Sequence, residues 1–163
     1  MTRPIYEPSL RRTDAEFGYA RDQLFRRPGQ KGRNAVIQIK VFADDKIVSV
    51  GDGRFIFAIS KDMDVYNLVL AEAYVTTVGS SGTALIQLRN ISQTTDMLST
   101  RINIDPNEFH SKDASTQPVI NLLADDVAWA DRIAIDVDAI GSGSKGLGVN
   151  LTFAPGVLVA PGS

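Results

Sequence analysis

The 163-residue sequence contains no cysteine. That absence excludes a disulfide framework, thiolate metal sites and a thiol nucleophile. It contains one histidine, His110, so no multi-histidine metal site can form within one chain. No run of 18 apolar residues occurs, which excludes a spanning helix. The charged N-terminus has no apolar run behind it, so it does not read as a secretory signal. The expectation is a soluble protein made without signal-peptide export. The body from residue 34 shows no helix-length periodic segment between its apolar runs, which argues against a parallel α/β sheet.

What is present is a globular composition with an uneven charge. Apolar residues make up 44% and charged residues 22%, enough for one domain with its own core. The net charge of −2 hides two segments of opposite sign. Residues 1–33 hold eight Lys/Arg against four Asp/Glu, a net +4, and residues 34–163 hold nine against fifteen, a net −6. Segments of opposite sign meet different partners.

Residues 1–33 read as an extended N-terminal attachment arm and linker. Pro4, Pro8 and Pro28 remove backbone donors and favour extended geometry, and Pro28-Gly29-Gln30-Lys31-Gly32 closes the segment as a linker. Between them, Thr13 and Glu16 form a capping box that would open a short helix through about Arg26. A segment of this size builds no core of its own. Its aromatic side chains Tyr6, Phe17, Tyr19 and Phe25, and its basic Arg11, Arg12, Arg26 and Arg27, are therefore the candidate partner-binding residues. Packing across its own body is the competing reading.

From residue 34 the chain turns to short alternating runs, expected as strands at 35–42, 54–59, 68–77, 83–91, 97–104, 132–140 and 147–153. Residues 78–82 (VGSSG) and 141–146 (GSGSKG) read as flexible hairpin loops joining their flanking strands. A helical turn is expected near 119–124, after Pro118. Seven or eight strands at this spacing predict an all-β, antiparallel β-sandwich over residues 34–153. The apolar tail 154–163 suits docking on a neighbour. Strand 68–77 is apolar on both faces, with Leu68, Leu70 and Tyr74 opposing Val69, Ala71, Ala73 and Val75. This is more apolar surface than one core needs, and it favours homo-oligomerisation.

No catalytic, cofactor-binding or metal residue is assigned. His110 with Ser111 lacks a nucleophile-elbow pattern and reads as a surface or interface histidine. Asp44-Asp45 and Asp125-Asp126 read as turn residues, with a calcium loop as the competing role. Asp136 and Asp138 read as a solvated or subunit-facing strand face. The 141–146 loop lacks phosphate-loop spacing and is followed by a strand. The acidic body disfavours nucleic acid. Trp129 has two readings: a core or interface tryptophan, or a ring that stacks on a sugar.

Several stretches resemble a β-sandwich that recurs in structural proteins of tailed bacteriophages. In the body these are residues 57–64 (FAISKDMD), 67–77 with 83–90, 96–105 (DMLSTRINID), 125–127, 131–137 and 145–147. In the arm they are residues 5–8 (IYEP), 12–15 (RTDA), 18–19 and 23–28 (QLFRRP), similar to a virion-attachment segment. The resemblance implies a jelly-roll-like, non-enzymatic decoration, cement, head-fibre or minor tail protein. It also implies a homotrimer that is assembled in the host cytoplasm and placed in the virion, where it binds the major capsid or tail proteins. Neither cofactor, nucleic acid nor membrane is expected as a partner. A virion adhesin reading host glycans, through Trp129 or the 79–82 loop, is the alternative.

Overall fold

The computed structural model describes residues 33–156. Eleven strands run in chain order: β1 (Ala35–Lys40), β2 (Gly51–Ala58), β3 (Tyr66–Tyr74), β4 (Ala84–Asn90), β5 (Thr95–Asp96), β6 (Leu98–Thr100), β7 (Ile102–Ile104), β8 (Val119–Ile120), β9 (Asp126–Val127), β10 (Arg132–Ala139) and β11 (Gly148–Pro155). One sheet has the order β1-β11-β3-β9. The other has the order β2-β10-β4-β5, with β7 also on β4, and every pairing is antiparallel. Strands β1 to β4 alternate between the two sheets, β4 and β10 share one, and β11 returns to the other, so the two sheets pack as a sandwich. The expected antiparallel all-β sandwich is what forms.

Alternation selects the core. Leu147, Val149, Leu151 and Phe153 face inward, opposite Ile86, Leu88, Ile133 and Ile135 of the other sheet, and all are fully buried. On β3 a bulge breaks the period: Phe153 pairs with Leu68 but Thr152 pairs with Leu70. The extra residue, Val69, turns outward together with Leu70, while Leu68, Ala71 and Ala73 stay buried.

Five local expectations are corrected. Residues 68–77 and 83–91 do not form a hairpin, because β3 pairs with β11 and β4 with β10. The 132–140 and 147–153 runs likewise separate into different sheets. Their connections are arches between sheets, and the arches hold each other. The Ser80 amide donates to Ser142 O at 2.9 Å, the Ser142 amide to Ser81 O at 2.7 Å, and the Lys145 amide to Thr77 O at 3.1 Å. A Cβ on Gly79 would sit 2.7 Å from Gly141 Cα, so only glycine lets these backbones cross. The 141–146 loop, expected to be flexible, is thus pinned by backbone bonds. Residues 97–104 split into two strands: β7 edges β4, while β6 leaves to pair with β8. The helical turn near 119–124 is instead β8 followed by a tight turn at 121–124.

Candidate interaction surfaces

Residues 128–131 form a turn closed by the Asp131 amide on Ala128 O at 3.0 Å. Ala130 holds φ 73° and nearby Val65 holds φ 58°, a left-handed conformation that is costly for a β-branched residue. The 128–131 turn is held by the buried Asp131 carboxylate. Its Oδ2 accepts from Asn90 Nδ2 at 2.8 Å, Gln93 Nε2 at 2.8 Å and the Ala128 amide at 3.0 Å. Burial pushes the Asp131 pKa up, but these donors outweigh it and hold the carboxyl below its ordinary range.

The turn projects Trp129, whose amide donates to Asp64 Oδ1 at 2.9 Å and whose ring carries Lys61 Nζ 5.0 Å from its centroid. The ring is 57% exposed, so the core reading of Trp129 is overturned. One face of the ring is engaged by the ammonium group. Beside it, Val65 O accepts the Gly156 amide at 2.8 Å.

A second turn is built around Asn121. Its amide donates to Met97 O at 2.9 Å and its Nδ2 to Asp96 O at 3.0 Å, while its Oδ1 accepts the Leu123 amide at 3.2 Å. The Ala124 amide closes the turn on Asn121 O at 2.8 Å. This frame presents Leu122 at 78% and Leu123 at 95% exposure, the two most exposed large apolar side chains among the described residues. Asp96 and Asp126 lie exposed on either side in sequence and pairing.

The outer face of the β1-β11-β3-β9 sheet carries three cross-strand rows. Val36, Thr152 and Leu70 form an apolar row, with Val36 and Leu70 exposed. Gln38, Asn150 and Glu72 form a polar row. In the third, Lys40, Gly148 and Tyr74, the Tyr74 ring lies where a side chain on Gly148 would stand, and Lys40 Nζ lies 4.8 Å from its centroid.

The remaining candidates are engaged locally. His110 Nδ1 accepts the Lys112 amide at 3.0 Å and its Nε2 lies 3.7 Å from Glu72. Ser111 Oγ accepts the Ala73 amide at 3.0 Å, so the two side chains do not assemble as base and nucleophile. Asp44 pairs with Lys40 at 2.6 Å, a hydrogen bond that raises the lysine's pKa, and Asp125 accepts from Asn67 at 2.9 Å. Asp136 is not on a solvated face: it is buried, pairs with Arg89 at 2.8 Å and accepts the Gly53 amide at 2.5 Å. Asp138 pairs with Arg101 at the surface. Among the described residues no group of three or more acidic or histidine side chains could hold a metal ion. The arm candidates Tyr6, Arg11, Arg12, Phe17, Tyr19, Phe25, Arg26 and Arg27 lie outside the described residues, as does the tail beyond residue 156.

Sequence pattern missed Leu122 and Leu123 because an apolar Asn-Leu-Leu-Ala after proline reads as a helical turn. The flanking pair Asn121 and Asp125-Asp126 was the available turn signal. No family model, no curated protein and no solved structure matches this chain.

Proposed function

We propose that this chain is a non-enzymatic structural component of a tailed-bacteriophage virion. In this reading it is a trimeric decoration or cement protein, or a tail or fibre component, attached through residues 1–33. The observation that carries the reading is the exposed apolar row Val36 and Leu70 on a sheet that already has a complete core. Such a face is stable in water when a second copy covers it, and closed cyclic symmetry is the common arrangement. The +4 arm and −6 body supply complementary charge for lattice contacts. Three arms on one trimer add avidity without new contacts. Deleting residues 1–33 is expected to leave a folded oligomer that no longer sediments with virus particles. Undiminished binding by the truncated chain would reject the attachment role.

The exposed ring of Trp129 favours a second reading, a glycan-binding adhesin, since a saccharide face can stack on its free side. Trp129→Ala would then abolish binding on a glycan array. An array without ligand, together with unchanged host adsorption, would dispose of it.

A further inference from the structure

The Leu122–Leu123 turn is the place where the body invests most in presenting apolar surface. Four hydrogen bonds centred on Asn121 hold it, and two leucines stand almost free of the protein. Removing two such side chains from water is a substantial drive for a docking contact. Neighbouring Val119, 51% exposed, extends the patch. Its rim is acidic, with Asp96 and Asp126 exposed and Asp125 beside them. Arg89, the cation paired across from Asp96, is committed to Asp136. An acidic rim disfavours an anionic membrane and fits a cationic, apolar partner.

The chain itself contains one segment of that chemistry. Residues 1–33 carry +4 and four aromatic rings. In its sequence Phe17, Ala20 and Leu24 recur at i, i+3 and i+7, the spacing of one apolar stripe, with Arg21, Arg26 and Arg27 close by in the chain. We propose that the Leu122–Leu123 turn is the receptor for the N-terminal arm of a second copy of this chain. The apolar stripe covers the two leucines, and the arginines meet Asp96 and Asp126. The inference goes beyond the attachment reading, since it places the arm between copies of this chain rather than on a capsid or tail protein.

The test uses the full chain with a photoreactive benzophenone side chain introduced at position 123. This position is at the surface, where replacement leaves the fold intact. Irradiation of the purified protein is expected to give a denaturing-gel product of twice the 17.7 kDa chain mass, with its cross-link on residues 10–27. In the same protein, Arg26→Glu with Arg27→Glu is expected to lower the yield about tenfold. A single-mass product joined to the arm would overturn the proposal in favour of docking on the same chain. A doubled product joined elsewhere, an undiminished yield in the charge-reversed variant, or no product with capture on anionic vesicles would each overturn it too. If the cross-link fails while deletion of residues 1–33 still abolishes particle binding, this inference falls and the attachment reading stands.

Discussion

The two extremities of the sandwich are built on different principles. β3 runs from Tyr66, beside the Trp129 turn, to Tyr74, beside the arches, a distance of roughly 27 Å. At the arch extremity, residues 76–82 and 141–146 bond backbone to backbone across a glycine contact. At the other, carboxylate and amide side chains clamp the turns: Asp131 holds the Trp129 turn, and on the adjoining flank Asn121 holds the turn of Leu122 and Leu123. Backbone closure pairs its polar groups internally, and residues 76–82 and 141–146 are Thr, Ser, Gly and Val apart from Lys145. Side-chain clamping frees the turn tip to display bulky apolar groups. The first construction suits a closed end and the second suits contact. β1 starts and β11 ends at the clamped extremity, as the pairings of Ala35 with Phe153 and Pro155 with Tyr66 require.

The contrast can be broken at its strongest clamp first. Asp131→Ala is expected to cost about 3 kcal/mol in urea denaturation, because the buried Asn90 amide loses its acceptor along with the Ala128 and Gln93 donors. The arch is tested by Gly79→Ala, which forces a Cβ into the Gly141 backbone and should cost about 2 kcal/mol by the same measurement. Equal, small losses at both sites would erase the distinction.

Acid titration bears on both extremities, because each has one lowered carboxyl. The Asp131 carboxyl is held below its ordinary range, and so is that of Asp105, chiefly by the Ser115 amide. Their contribution is full above the unfolded carboxylate pKa of about 3.9 and is lost as pH falls through the lower native values. Stability should therefore fall below about pH 4, and Asp131→Asn should flatten that slope. Asn121→Ala should act locally, with a loss of about 1 kcal/mol and faster amide exchange at Leu123 and Ala124. The smallest effect is expected from Leu122→Ser with Leu123→Ser in a chain lacking residues 1–33, within about 0.5 kcal/mol on a thermal melt, because neither side chain supports the fold of the body.

Strand positions were legible because alternation of apolar and polar residues survives in β1, β10 and β11. Strand partners were not. A glycine-bearing loop of five or six residues looks the same whether the chain returns in its own sheet or crosses to the facing one. Only the Gly79–Gly141 contact, 62 positions apart in sequence, decides that. Asp136 read as a surface residue because its cover, Arg89 and the Gly53 amide, comes from two neighbouring strands. The outward turn of Val69 and Leu70 needed a bulge that no local signal marks. Of the interaction surfaces, Trp129 was named from sequence but placed in a core or interface by default. The leucine turn was hidden by its helix-like composition.

The proposed role depends on further copies of this chain covering the Val36 and Leu70 row of the β1-β11-β3-β9 sheet. The most direct test is the solution mass of the full chain by sedimentation equilibrium at micromolar concentration. Three times the 17.7 kDa chain mass is expected, reduced by Val36→Lys with Leu70→Lys. A single 17.7 kDa species, unaltered by those substitutions, would contradict it.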